Sequence, residues 1–191
     1  MTIPAVRCYK ADVNFYRFLS ELENTQTFLP EGTDLWTAGR VGGTQSVVHS
    51  HRTSMLIPLD WAVGVNPGLV SIFDEIHQAV ETAVHSYRNE FGLSLDFAEG
   101  YTVNKYGAGA EYKQHVDAGS DISRILSMVC FLNTPEDGGG LHFPLFEKTI
   151  AADSGTIVLF PSTHPYLHAA LPVMAVKTPK YSLVNWYGKS Q

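Results

Sequence analysis

Hydrophobic spacing divides the chain into an early helical part and a later strand-rich part. Between Ala11 and Asn24, "ADVNFYRFLSELEN" places apolar side chains at Val13, Phe15, Phe18, Leu19 and Leu22, close to the 3.6-residue period of a helix. A longer run, "NPGLVSIFDEIHQAVETAVHSYRNEFG", carries the stripe Ile72, Ile76, Val80, Ala83, Val84, Tyr87 and Phe91. Asn66 is a capping residue, Pro67 suits a first turn and Gly92 suits the residue after a helix end, so a helix is expected between them.

From about Asp96 the period changes. "FAEGYTVNKYG", "SRILSMVCFLN", "GLHFP", "GTIVLFP" and "KYSLVNWYG" are short runs rich in aromatic and β-branched residues, separated by Gly, Pro, Asn and Asp. Many closely spaced strands after helices predict a mainly β fold with supporting α-helices, built on a double-stranded β-helix (a cupin-like jelly roll). The expected organisation is one domain over residues 1–191, with helical support and flanking strands in 1–95 and the jelly-roll core in 96–191. Within residues 28–62, "SVVHS" and "SMLIPLDW" are candidate strands extending the main sheet.

The chain has 191 residues, enough for a substantial core, and a formal net charge of −6. No Lys/Arg cluster interrupts the acidic balance, so a nucleic-acid partner is not expected. No run approaches the roughly 20 apolar residues of a membrane span, and "MTIPAVRCYK" lacks the apolar centre of a signal peptide. Cys8 and Cys130 are far apart and form no CxxC pair, so a reducing, cytoplasmic setting is the simplest expectation.

Candidate chemistry begins in "YKQHVDAGSD", where His115 and Asp117 stand one residue apart. In a strand, i and i+2 share a face. The pair suits a metal ion, and it equally suits a hydrogen-bonded His–Asp pair at a strand end. Among the other histidines, His77 and His85 fall in the long predicted helix, where an ordinary polar role is favoured. His49 and His51 share i, i+2 spacing without a carboxylate beside them. His164 falls in a predicted turn, and His142 alternates with Leu141 and Phe143, an orientation that would face it into a cavity. His168, in the strand-like "YLHAALPV", completes a two-histidine, one-carboxylate set with His115 and Asp117. Such a set leaves three positions open on an octahedral iron, whereas structural zinc wants four closed ligands.

Lys180 opens "KYSLVNWYG", with Ser182 two residues on. A surface lysine at a strand start is the ordinary reading. The apolar neighbours Tyr181, Leu183, Val184 and Trp186 favour instead a buried cation, which with a hydroxyl beside it would bind the far carboxylate of a dicarboxylic acid.

Taken in order, "VNKYGAGAEYKQHVD", "RILSMVCFLN", "GGGLHFP", "GTIVLFP", "HAALPV" and "KYSLVNWYG" resemble the prolyl 4-hydroxylase type of Fe(II)- and 2-oxoglutarate-dependent dioxygenases, and "HRTSMLIPL" extends the likeness to residues 47–188. The resemblance implies Fe(II) held by His115, Asp117 and His168, and 2-oxoglutarate anchored by Lys180. It implies that Tyr106 lines the co-substrate pocket, that Trp186 packs beside the site, and that Gly138, Gly139 and Gly140 form the turn before the pocket wall. The implied reaction consumes O2 and 2-oxoglutarate and hydroxylates an unactivated C–H bond, with ascorbate as a candidate reductant. Two departures stand out. Cys130 and Phe131 replace tyrosines common in this group, which throws more weight on Ser182 or Tyr106. The His168–Lys180 interval is longer than usual, which makes Lys177 a rival anchor. The implied substrate is proline in a peptide or protein, with a free amino acid or other small molecule as the alternative. Arg52, Tyr101, Tyr112 and the segment Leu59–Asn66 are candidate groove residues. A non-catalytic metal- or sugar-binding jelly roll is the competing class.

Overall fold

A computed structural model describes residues 2–41, 47–48, 50–119, 123–174 and 177–190. In chain order the elements are β1 (Arg7–Lys10), α1 (Phe15–Asn24), β2 (Thr37–Ala38), β3 (Arg40–Val41), β4 (Val47–Val48), β5 (Met55–Pro58), α2 (Leu59–Val65), α3 (Val70–Phe91), β6 (Phe97–Ala98) and β7 (Thr102–Tyr106). There follow β8 (Tyr112–His115), β9 (Arg124–Phe131), β10 (Leu141–Phe143), β11 (Lys148–Ile150), β12 (Thr156–Pro161), β13 (His168–Ala170) and β14 (Lys180–Gly188).

The expected β core is present. Among the described residues the major sheet runs β1-β12-β9-β14-β7-β5-β2, with β6 also on β14, and the minor sheet runs β11-β10-β13-β8. Period-two alternation sorts the side chains of the three central strands. Leu126, Met128 and Cys130 of β9, Ile157 and Leu159 of β12, and Leu183 and Tyr187 of β14 pack into the cluster shared with the helices. Phe131, Val158 and Phe160 point the other way, onto Leu141 and Phe143 of the minor sheet. The functional consequence lies on β14. Its helix-facing residues alternate with Lys180, Ser182, Val184 and Trp186, which line a pocket that also takes residues from the minor sheet.

The helices buttress the far face of the major sheet. Phe18 and Leu22 of α1 are fully buried, as is Val80 of α3. Each such side chain contributes roughly 1.5–3 kcal/mol by leaving water. The buried stripe Ile72, Ile76, Val80, Ala83, Val84 and Tyr87 matches the expected one up to Phe91, which ends the helix half-buried against the same cluster. Asn66 caps Gly68 N in a 3-10 turn leading into α3, and Gly92 closes α3 in the left-handed conformation, φ 63°.

Several local expectations need correction. The first helix begins at Phe15, not near Ala11, because the Asn14 side chain accepts the Arg17 N–H and caps it there. "SMLIPLDW" is a strand only through Pro58. Leu59 and Ala62, three residues apart, bury one side of the short helix α2 instead. β5 does extend the major sheet by pairing with β7. By contrast, β4, within "SVVHS", pairs antiparallel with β3 in a separate two-stranded sheet. Strand β1 escaped the sequence reading because "RCYK" alternates without apolar contrast, yet it pairs with β12. Among the described residues no helix is long and apolar enough to cross a membrane.

Candidate metal centre and co-substrate pocket

His115 ends β8 and His168 opens β13, and these two residues face each other in the antiparallel register of the minor sheet. Asp117 lies just past the end of β8, so the shared-face argument for a strand does not itself place it. Its backbone is fixed instead by the end of β12: Asp117 N and Ala118 N both donate to the Ser162 carbonyl, at 3.1 and 3.0 Å. The result brings Asp117 Oδ1 within 3.6 Å of His115 Nε2, and Asp117 Oδ2 within 3.6 Å of His168 Nε2. One ligand atom from each of the three residues lies within 4.8 Å of the others.

The remaining ring nitrogens are committed. His115 Nδ1 donates to the Lys113 carbonyl at 2.7 Å, and His168 Nδ1 donates to the Tyr166 carbonyl at 3.0 Å. A carbonyl only accepts, so in the neutral ring the proton sits on Nδ1 and the Nε2 lone pair points at the cluster. Burial opposes charge on both His168 and Asp117. At His168 burial wins and lowers the ring's pKa, favouring the neutral imidazole. At Asp117 burial is outweighed by the facing His168 and His115 rings and the Ser127 hydroxyl, and the carboxyl stays well below its usual range.

Lys180 is 2% exposed although it begins a strand, because β14 is covered on both faces. Its ammonium donates to the Gly139 carbonyl at 2.7 Å and sits 4.2 Å from the Tyr106 ring centroid. Burial pushes its pKa down to about 7. Among the described residues no carboxylate pairs with it. Ser182, Tyr106, Phe131 and Trp186 line the same pocket as His115, Asp117 and His168. Of the adjacent Cys130 and Phe131, only Phe131 faces this pocket, and Cys130 belongs to the helix-side cluster. Lys177, the rival cation, is exposed in a bend before β14.

Other candidates fall elsewhere. His142 points to Thr149 Oγ1 at 3.0 Å, across the β10–β11 pair and away from the pocket, which corrects the cavity expectation. His77 meets Tyr101 OH at 2.9 Å on the helix side, so neither joins the site, and Tyr101 is not a groove residue. His85 is an exposed helical residue and His164 lies in a turn. His49 lies outside the described residues. His51 packs edge-on against Tyr112, centroids 5.9 Å apart. Arg52 and Tyr112 do line the pocket, and the guanidinium lies 4.8 Å from the Tyr112 centroid. The segment Leu59–Asn66 is mostly the helix α2 and contributes no lining residue.

Sequence reasoning missed Arg124, Ser127 and Ser162. Arg124 stacks 3.9 Å from the Trp186 ring, pairs with Glu99 and donates to the Asp117 carbonyl at 3.1 Å. Ser127 donates to Asp117 Oδ2 at 2.6 Å. The available signal was a serine at a buried position inside the apolar run "ILSMVC".

Residues 101–188 match the family model described as the 2OG-Fe(II) oxygenase superfamily. No curated protein matches. Among solved structures, a prolyl-4-hydroxylase from Pseudomonas putida is similar at TM-score 0.71 and 20% identity, over 98% of this chain and 94% of that one. The viral collagen prolyl hydroxylase of Paramecium Bursaria Chlorella virus-1, solved with 2OG, is similar at TM-score 0.65 and 18% identity, over 97% of both chains. A prolyl hydroxylase from Trichoplax adhaerens, in complex with a hypoxia inducible factor peptide fragment, is similar at TM-score 0.74 and 14% identity, over 96% of this chain and 83% of that one.

The donor set fits the iron that this family implies. Two imidazoles and one carboxylate come together, all three buried or nearly so, and line one pocket with Tyr106, Phe131, Lys180 and Trp186. A buried ammonium without a carboxylate partner among the described residues fits the anionic end of 2-oxoglutarate.

Proposed function

We propose that this chain, a 2-oxoglutarate-dependent dioxygenase of the prolyl 4-hydroxylase structural type, hydroxylates an unactivated C–H bond of proline in a peptide or protein. The observation that carries the reading is the pairing, in one pocket, of the His115–Asp117–His168 cluster with the buried Lys180 ammonium. A metal-binding module has no need to bury a lone cation beside its ligands, whereas an enzyme that consumes a dicarboxylic keto acid does.

His115 and His168 would hold Fe(II) through Nε2 and Asp117 through a carboxylate oxygen. Bound there, Fe(II) supplies dioxygen activation coupled to the oxidative decarboxylation of 2-oxoglutarate to succinate and CO2, with the second oxygen atom going to the substrate. The protein's part is orientation and exclusion of water. Lys180 fixes the far carboxylate, and the Tyr106 and Phe131 rings keep water from that ion pair, which strengthens it. Ser182 adds a hydroxyl on the same face of β14. Trp186, held flat under Arg124, walls the pocket on the metal side. Residues 1–191 are read as a single oxygenase unit, with the early helices serving the sheet that carries Lys180.

The proline assignment rests on the shared fold of the prolyl hydroxylases, and Arg52 and Tyr112 remain its candidate groove residues because they line the pocket. The direct test is a screen for a gain of one oxygen in mass across proline-containing peptides and free amino acids, with Fe(II), 2-oxoglutarate and O2. Hydroxylation of a free amino acid alone would replace the peptide reading. An anaerobic sample should develop a weak visible band when Fe(II) and 2-oxoglutarate are both added. A chain that shows no band and forms no succinate would refute the oxygenase assignment of this pocket.

A further inference from the structure

The two oxygens of Asp117 are not equivalent. Oδ2 accepts the Ser127 hydroxyl at 2.6 Å, and Ser127 Oγ lies 2.8 Å from Ser162 Oγ. A carboxylate only accepts, so Ser127 gives its single proton to Asp117 and must take the Ser162 proton in turn. The direction of the relay is therefore fixed: Ser162 to Ser127 to Asp117. Both serines are 1% exposed, so water does not compete for these bonds. Ser127 sits in the middle of β9, pinned between Phe160 of β12 and Trp186 of β14. Ser162 N donates to the Ile125 carbonyl at 3.0 Å, and the Ser162 carbonyl takes both backbone N–H groups of Asp117 and Ala118. The same short segment thus holds the Asp117 backbone and, through Ser127, one of its two oxygens. Each oxygen faces one imidazole at the same distance, Oδ1 the His115 Nε2 and Oδ2 the His168 Nε2, both 3.6 Å away, so the hydroxyl bond is what distinguishes them: among the described residues Oδ1 accepts none.

We propose that Ser127, backed by Ser162, is a positioning residue that occupies Asp117 Oδ2 and reserves Oδ1 for the metal, holding the carboxylate to one-oxygen coordination. This rests on the metal reading above. The consequence is a coordination count. With one oxygen from Asp117 and one nitrogen from each imidazole, an iron held there would keep room for both the keto acid and dioxygen. A carboxylate free to rotate and bind through both oxygens would take part of that room. Buried hydroxyl donors to metal-ligating carboxylates also fix the ligand's orientation, and their loss typically costs about 10–100-fold in metal affinity.

The test uses Co(II) as a spectroscopic stand-in, with absorbance recorded during metal titration and then during addition of 2-oxoglutarate. Ser127→Ala should bind Co(II) roughly 10–100-fold more weakly. Its Co(II) spectrum before 2-oxoglutarate should differ from the wild type, and its response to 2-oxoglutarate should need a higher concentration. Ser127→Thr retains the hydroxyl and should restore both. Ser162→Ala removes only the relay's first donor and should shift both readouts in the same direction by less. Thermal melts of the metal-free chains separate a folding defect from a ligand-orientation defect, and Ser162→Ala carries the test if Ser127→Ala does not fold. A wild-type chain that takes up no Co(II) overturns the metal reading and this assignment with it. A wild-type chain that binds Co(II), beside serine variants with the same affinity, spectrum and 2-oxoglutarate response, overturns the Ser127 assignment alone.

Discussion

Lys180 and Tyr106 are paired residues on adjacent strands of the major sheet, and the lysine's ammonium rests 4.2 Å from the tyrosine's ring centroid. The ring and the Gly139 carbonyl partly compensate a buried cation, but neither carries a formal charge. An incoming carboxylate would complete the pair. Lys180→Met should therefore raise the 2-oxoglutarate requirement for succinate formation steeply. Losing one partner of a desolvated, hydrogen-bonded charge pair costs about 2–5 kcal/mol, some tens to thousands of fold. Lys177→Met should do little, since Lys177 is exposed in a bend. The reverse ranking in a 2-oxoglutarate titration would move the anchor.

The same lysine predicts a pH dependence with a definite sign. Burial lowers its pKa to about 7, so the free protein loses the ammonium as pH rises through neutrality. A bound carboxylate favours the charged form and raises that pKa, so binding takes up a proton above pH 7. Apparent 2-oxoglutarate affinity should fall between about pH 7 and 9, approaching tenfold per unit. Lys180→Arg binds through a guanidinium that does not titrate in this range, and its profile should be flat. Isothermal titration in two buffers of different ionisation enthalpy measures the proton uptake directly, and zero uptake at pH 8 would contradict the prediction.

Much of this site was legible in the chain because the alternation of a two-sided strand exposes its logic. "KYSLVNWYG" puts Lys180, Ser182 and Trp186 on one face and Leu183 and Tyr187 on the other, and β14 keeps that pattern. The long helix was legible for the same reason, through its apolar stripe and its Gly92 stop. What stayed hidden depends on contacts between distant segments. Asp117 is placed by Ser162, 45 residues later in the sequence, and no local pattern announces that bond. His142 had the alternation of a pocket residue, but the β10–β11 pairing turns it toward Thr149. Tyr101 looked like a groove aromatic and is instead claimed by α3 through His77 and Phe73.

Those placements separate the candidate ligands from the bystanders. His115→Ala, Asp117→Ala and His168→Ala should each lower Fe(II) affinity by more than the ~10–100-fold typical of outer partners of a metal ligand, with turnover falling below detection. His142→Ala and His164→Ala should keep both metal binding and succinate formation. Zn(II) or Co(II) should compete for the same three residues and inhibit. Metal content after equilibrium dialysis, measured alongside succinate, checks each variant. Loss of iron from His164→Ala with retention in His168→Ala would reassign the third ligand.

Gly139 offers a test that changes no charged group. It has φ 70°, a left-handed conformation, and its carbonyl receives the Lys180 ammonium. A Cβ built there falls 2.8 Å from Lys180 Cδ and 3.3 Å from Pro135 Cγ. Gly139→Ala thus meets two penalties: backbone strain of about 1–2 kcal/mol, and a methyl group pressed into the stem of Lys180. The stem must shift, and the ammonium with it. The expected result is a modest fall in Tm together with a clear rise in the 2-oxoglutarate requirement. Co(II) affinity should stay near that of the wild type, because none of the three metal-facing residues touches Gly139. Differential scanning calorimetry, a Co(II) titration and a 2-oxoglutarate titration on the same preparation would resolve the three effects. A variant that loses stability but keeps the wild-type 2-oxoglutarate requirement would show that the carbonyl of Gly139 does not set the position of the Lys180 ammonium.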